Sequence, residues 1–356
     1  MPLIFDCHLD LAWNAMTFRR DLTLPLEQLN AADPVEDEKF RGRATTTFPE
    51  MKKGQIAVCL ATVMGRVPYG EESLHGSTLD FPTHEQVFAF ARGQLAYYEA
   101  MEESGFVRLI KTSRELESHW KKWQENPNTP IGIIVSMEGA DAMANPDVTE
   151  KWFELGLRST GLVHYGTSAH AVGTGQEGPL SESGKSLLQT FESLGMVLDV
   201  THLSDQSFFE AIECFSGPLI ASHQACRKLV PHQRQFSDEQ LAVVIVRDGL
   251  VCVPCDAWML YPNWIRGETD RSDLSMEALC DQIDHICQLA GDTRHVGIGS
   301  DLDGGYGNEQ TPTGLDSIAD LQKLADLLSA RSYSDNDVAA ILGENAYQFF
   351  LRNLPS

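Results

Sequence analysis

Residues 131–139 read IGIIVSMEG. Apolar side chains and glycine fill the run until Ser136 and Glu138 near its end. A half-exposed strand alternates polar and apolar residues, so this run predicts a strand covered on both faces, as in a parallel sheet. Seven more stretches share the character: LIFDCHLDL (3–11), QIAVCLATVM (55–64), LRSTGLVHYG (157–166), MVLDVTHLS (196–204), PLIASHQA (218–225), LVCVPCDAW (250–258) and HVGIGSDLDG (295–304). Amphipathic stretches lie between them. In 84–104, Val87, Ala91, Leu95, Tyr98 and Met101 fall on one helical face. Segment 237–248 opens on Ser237, Asp238, Glu239 and Gln240, a capped helix start. Gly156, Gly195 and Gly249 each stand just before an apolar run, the position of a left-handed helix cap. Eight βα units predict an α/β fold, a (β/α)8 TIM barrel, as one domain over 1–356. The polar stretch at about 12–54 reads as an insertion after the first strand, and 334–352 as a closing helix. FVRLI (106–110) is an additional candidate strand, and a doubly wound open sheet is the alternative architecture.

The 356 residues carry 27 Lys+Arg against 51 Asp+Glu, a net charge of −24. That field repels phosphate backbones and anionic lipid, which argues against nucleic-acid and membrane partners. The N-terminal MPLIFDCHLDLAW has no basic segment followed by an apolar one, and no apolar stretch is long enough to span a bilayer. The eight cysteines mostly sit inside apolar runs and read as reduced, buried residues. A cytoplasmic location is the expectation.

The ends of the apolar runs carry the chemistry. The first ends in His8-Leu9-Asp10, the third in Glu138, the fourth near His164, the fifth at His202, the sixth at His223 and the eighth at Asp301 and Asp303. Barrel active sites form at the C-terminal ends of strands. His8 and Asp10 lie two apart, on one face of an extended strand, and suit one borderline metal such as Zn²⁺. His202 and His223 suit a second, and Glu138 has two oxygens with which to bridge both. Two such ions would lower the pKa of a shared water and polarise a carbonyl. Asp301 is then placed to take the proton and pass it to a leaving amine. His170 and His232 fall in loops just beyond strand ends, within reach of a substrate. His75, His84, His119, His285 and His295 read as ordinary surface residues. Gly173–Gly178 spells GxGxxG but directly follows no strand, so it fails as a dinucleotide loop. Cys252-Val253-Pro254-Cys255 lies within a strand, not at a helix start, which argues against redox or zinc use.

In these residues the sequence resembles the membrane (renal) dipeptidase family of zinc peptidases. His8-x-Asp10 is similar to its first-strand motif, SMEGAD to the segment of its bridging glutamate, DVTHLS and IASHQA to its second pair of histidines, and VGIGSDLDG to its general-base block. The resemblance implies two Zn²⁺ per chain, held by His8, Asp10, Glu138, His202 and His223. It implies Asp301 as general base, His164 as the residue that contacts substrate and holds the tetrahedral intermediate, and Arg234 as the grip on the substrate's carboxylate. It further implies a barrel of the metal-dependent hydrolase type, hydrolysis of dipeptides with a D-residue tolerated on the C-terminal side, and a homodimer. The hydrophobic tail of a lipid-anchor signal is missing. Two departures bear on the pocket: Pro254, near which relatives more often carry asparagine, and Asp141, where a small residue or histidine is expected. The competing readings are another binuclear hydrolase (an amidase, lactonase or deaminase) and a metal-binding protein without activity. Some binuclear hydrolases bridge their metals with a carbamylated lysine. No lysine ends a predicted strand here, whereas Glu138 does.

Overall fold

Each of the eight apolar runs supplies one strand of a closed parallel barrel in the computed structural model, which describes residues 1–33, 40–69 and 78–356. The strands are β1 (Ile4–Leu9), β2 (Ile56–Met64), β3 (Val107–Leu109), β4 (Ile131–Glu138), β5 (Leu157–Gly161), β6 (Val197–Asp199), β7 (Leu219–Ala221), β8 (Leu250–Val253) and β9 (Val296–Ile298). β1 pairs with both β2 and β9, and β2 pairs with β4, so the ring closes without β3. FVRLI does form a strand. β3 lies beside Ile131–Ile133 of β4, on the edge that β5 takes over at Val135–Met137. It therefore flanks the barrel and leaves the count of eight intact; an open sheet is excluded. Every residue of the eight ring strands is buried, as their lack of alternation predicts.

The helices follow the pattern of the sequence. His84–Glu103 buries Val87, Ala91, Leu95 and Tyr98, with Met101 half-buried against the same core. The Tyr98 hydroxyl donates to the Thr62 carbonyl (2.7 Å) and accepts from the Ala12 amide (3.1 Å), tying the helix to the upper ends of β1 and β2. Ser237 and Gln240 cap each other's backbone at the start of Asp238–Val246. Gly156 (φ 111°) and Gly195 (φ 68°) are left-handed caps as expected. Gly249 is not: Asp248 (φ 52°) takes the left-handed turn. A Cβ on Gly249 would lie 2.8 Å from the Leu219 carbonyl oxygen, so close packing on β7 is what requires glycine there. The closing segment is helical from Asp335 to Asn353 with a π turn at Ala340–Glu344. Gly343 in that turn lies against the Leu3 carbonyl, and Phe350 stacks on Phe5 of β1 (5.3 Å between centroids).

Three short helices, Leu11–Thr17, Leu26–Ala32 and Phe48–Lys53, lie in the stretch after β1; its residues 34–39 fall outside the described residues, as does His75. Asp303 belongs to this region and not to the site. Its carboxylate accepts the amides of Thr45 and Thr46 and the Thr45 hydroxyl, and Arg20 stands 3.9 Å away. Two histidines expected at the surface are buried. His119 sits 3.1 Å from the Ala57 carbonyl, in space left by Gly132, and His295 sits 3.0 Å from the Gly249 carbonyl. All eight cysteines are free, six of them buried. No described helix is long and apolar enough to cross a membrane.

Candidate metal centre

The ring converges its polar strand ends on one point. Glu138, the last residue of β4, places Oε1 3.0 Å from His202 Nε2, 3.4 Å from His223 Nε2 and 3.7 Å from both His8 Nε2 and His164 Nε2. His8 Nε2 also lies 3.6 Å from Asp10 Oδ1 and 3.8 Å from Asp301 Oδ1. All seven residues are buried or nearly so, and they form three overlapping groups, each able to hold a cation: His8, Glu138 and His223; Glu138, His164 and His202; His8, Asp10 and Asp301.

Local backbone explains why these side chains point inward. Strand geometry sends His8 toward the barrel's upper end, and Asp10 begins the helix Leu11–Thr17, where the Thr62 hydroxyl donates to its Oδ1. His202 (φ 70°) and Asp301 (φ 56°) both occupy left-handed backbone, a costly conformation for residues with a Cβ. Each turns the chain sharply just past a strand and thereby redirects its side chain over the barrel. GxGxxG segment 173–178 serves the same site. Gly173 packs where a Cβ would lie 2.2 Å from the His164 carbonyl oxygen, and Thr174 Oγ1 lies 2.8 Å from His202 Nδ1.

A hydroxyl–carboxylate pair beneath the histidines was not signalled by any sequence motif. Ser222 donates its hydroxyl to Asp199 Oδ2 (2.5 Å). With its proton so committed, its oxygen accepts from His223 Nδ1 (3.0 Å) and His8 Nδ1 (3.3 Å). Both rings are thereby held with the proton on Nδ1 and a lone pair on Nε2, the arrangement typical of metal-ligating histidine. His8 Nε2 is buried and has no hydrogen-bond partner, and His202 Nε2 and His223 Nε2 lie 3.0 Å apart. Burial pushes the His202 and His223 pKa values well below normal and that of His8 down to about 3, so all three rings are neutral and each has a nitrogen lone pair to offer. A divalent cation satisfies every one of these atoms, so the residues fit a metal. The acids agree. Burial pushes Glu138 and Asp301 well above the usual carboxyl range, reinforced by the Asp10 charge, and raises Asp10 to about 6. Bound cations would restore their ionised forms.

Above the cluster opens a cavity of about 190 Å³, below the roughly 300–1,000 Å³ usual for drug-sized ligands. His164 and Arg234 line it, with Trp13, Met64 and Trp258 among the apolar walls. Arg234 is buried, its Nη1 donating to Gln224 Oε1 (2.7 Å) and its Nη2 to the His223 carbonyl (2.8 Å), while Nε has no partner. Each Nη keeps one further N–H, and Arg234 lines the cavity where an anion could meet them. Of the two loop histidines, neither lines the cavity: His170 bonds Ser183 (3.0 Å), and His232 packs edge-on against Trp258. His84 and His285 are held by the Asp141 carbonyl and the Asp238 carboxylate. Asp141 lies just outside the cavity, buried, with Oδ2 accepting from the Val67 amide (3.3 Å). Pro254 is buried beside Cys255, whose amide donates to the Ser300 carbonyl.

The sequence profile of the membrane dipeptidase family, peptidase family M19, matches residues 1–352. A dipeptidase of Clonostachys rogersoniana is 28% identical over 242 residues, covering 67% of this chain and 58% of the relative. A dipeptidase of Aspergillus oryzae is 29% identical over 60% of this chain and 50% of its own. The chain thus spans about half the length of the curated relatives it matches. Among solved structures, a dipeptidase of family M19 superposes with a TM-score of 0.82 at 23% identity, covering 100% of this chain and 99% of its own. A metallopeptidase from Rhodobacter sphaeroides, liganded with a phosphinate mimic of L-Ala-D-Ala, superposes at 0.79 with 23% identity and 99% of each chain. At that identity the superpositions establish the shared fold.

Proposed function

The chain belongs to the membrane dipeptidase family, peptidase family M19, and from that premise we propose that it hydrolyses the peptide bond of dipeptides with the aid of two divalent metal ions, zinc first among them. The observation that carries the reading is Glu138 Oε1 standing within 3.0–3.7 Å of four imidazole Nε2 atoms. His8 and Asp10 would hold one ion, His202 and His223 the other, with Glu138 shared. When bound, such ions lower the pKa of water and polarise a carbonyl oxygen.

The chain's own residues do the rest. Arg234 binds the substrate's C-terminal carboxylate through its free N–H groups, and the fixed fork of a guanidinium suits that planar anion. Its anchoring to Gln224 and the His223 carbonyl ties the carboxylate site rigidly to the cluster. His164 donates to the scissile carbonyl oxygen as negative charge develops there, a contribution of about 3–4 kcal/mol in comparable sites. Asp301 takes the proton from the attacking water and delivers it to the departing amine. A cavity of about 190 Å³ suits a substrate as small as a dipeptide. Acceptance of a D-residue at the C-terminal side is supported by the ligand of the Rhodobacter neighbour. The test is hydrolysis of L-Ala-L-Ala and L-Ala-D-Ala by the metal-loaded protein. Turnover of simple amides or lactones with none of either dipeptide would overturn the reading.

A further inference from the structure

The cavity wall contributed by the segment after β8 and by the turn Asn308–Gln310 carries a second carboxyl that the proposed reaction does not use. Asp256 and Gln310 both line the cavity, and each is only 5% exposed. Asp256 Oδ1 accepts from the Trp258 amide (3.2 Å) and from Gln310 Nε2 (2.7 Å). Oδ2 is not sealed off from the cavity, and the Trp258 side chain also lies within hydrogen-bonding reach of the carboxyl. Gln310 Oε1 is buried and has no partner. The Asp256 carboxylate is therefore the acceptor that this wall offers to the cavity, while Gln310 Oε1 is sealed from it. Arg266 acts on Asp256 as a nearby charge without a hydrogen bond: it gives Nη1 to the Gly305 carbonyl (3.0 Å) and holds Nη2 3.8 Å from Glu309 Oε1. Burial raises the Asp256 carboxyl to about 7, and a cation beside it would favour its ionised form. Burying a carboxylate in a largely apolar wall is costly, and a cationic donor offsets that cost. The indole of Trp258 on the same wall offers such a cation an aromatic face.

We propose that Asp256, positioned by Gln310, forms a substrate subsite for a cationic hydrogen-bond donor, a protonated amine or guanidinium. The group is carried either on the free α-amino end of the dipeptide or on a Lys or Arg side chain. The inference rests on the dipeptidase reading. It also distinguishes this subsite from a purely structural role. Asp256 caps the short helix Ala257–Leu260 through Oδ1 alone, and asparagine would cap it equally well.

The experiment compares wild type, Asp256→Asn and Gln310→Leu on Ala-Ala, Lys-Ala, Ala-Lys and N-acetyl-Ala-Ala. Both kcat/KM and calorimetric binding to the metal-free protein are measured, so that ranking does not depend on turnover. For Asp256→Asn the subsite predicts a loss of about tenfold or more, as for a charge-assisted hydrogen bond, confined to compounds that place a cation there. If the α-amino group is bound, the three free dipeptides lose and the acetylated one does not. If a side chain is bound, one lysine dipeptide loses and Ala-Ala does not. Gln310→Leu weakens the same compounds. Changes below about twofold throughout, or an equal loss on all four compounds, overturn the proposal. Wild-type turnover of Ala-Ala is the separate check on the dipeptidase reading. If it is absent while cation binding still depends on Asp256, the reaction assignment fails and the subsite stands.

Discussion

Replacing Ser222 with alanine probes the support beneath the histidines. One hydroxyl meets three groups: it donates to Asp199 Oδ2 (2.5 Å) and accepts from His223 Nδ1 (3.0 Å) and His8 Nδ1 (3.3 Å). Among these groups only Asp199 keeps protein donors in the variant, namely the amides of Thr201 and Ser222. Both imidazoles lose the partner that fixes the proton on Nδ1. Each buried N–H left unanswered costs about 1–3 kcal/mol, and each ring becomes free to tilt or change tautomer. Loss of an outer partner of this kind costs about 10–100-fold in metal affinity or activity. The assay is competition for Zn²⁺ against a chelator of known affinity, with kcat/KM followed in parallel. Zn²⁺ affinity should fall by about one to two orders of magnitude, with activity restored at high metal. Affinity within about twofold of wild type, with undiminished kcat/KM, would refute the claim that Ser222 orients these rings.

Other substitutions address other parts of the account. Asp301→Asn should keep its metal content and lose most of its turnover, by about 100-fold or more, as removal of a general base does; full activity would remove Asp301 from that role. Arg234→Met should raise KM for dipeptides about tenfold or more while leaving metal content unchanged, because a buried charged partner of the carboxylate is lost. Asp141 sets a pH dependence: burial raises its pKa from 3.8 to about 7, with the Val67 amide pulling the other way. A carboxyl raised on folding stabilises the protein at low pH, and that contribution is lost as pH rises through about 7. Between pH 5 and pH 8 the melting temperature of Asp141→Asn should therefore fall less than that of wild type, and an equal fall would contradict the assignment. Gly299→Ala would place a Cβ 1.7 Å from the Ser222 carbonyl oxygen. Backbone must then move between β7 and β9, so soluble yield and unfolding midpoint should both drop; a variant of wild-type stability would show that the barrel relaxes there.

The barrel is legible in the sequence because burial on both faces erases alternation in eight runs, and six of the eight end in residues with metal-binding chemistry. The positions of His8, Glu138, His202 and His223 follow from that regularity. What surrounds them follows from register and turn geometry, which leave weaker marks. Ser222 and Asp199 meet because β6 and β7 pair with Asp199 opposite Ile220, and serine in a strand carries no signal of its own. Asp303 shares the motif of Asp301 but turns away to hold Thr45 and Thr46, both aspartates standing in left-handed backbone on either side of Leu302. His119 and His295 read as surface residues because local sequence does not reveal that Gly132 leaves a space or that the Gly249 carbonyl faces inward. Gly249 has the sequence position of a cap, yet the preceding Asp248 makes the turn.

The central claim is that the cluster around Glu138 holds the metal ions on which dipeptide hydrolysis depends. Its most direct test is titration of the chelator-stripped protein with Zn²⁺ while L-Ala-D-Ala hydrolysis and bound metal are measured together. The account predicts that activity is absent at the start and climbs with metal until about two ions per chain are bound. In Glu138→Gln, stoichiometric binding and hydrolysis should both be lost. Undiminished hydrolysis by the stripped protein, or by the Glu138→Gln variant, would contradict it.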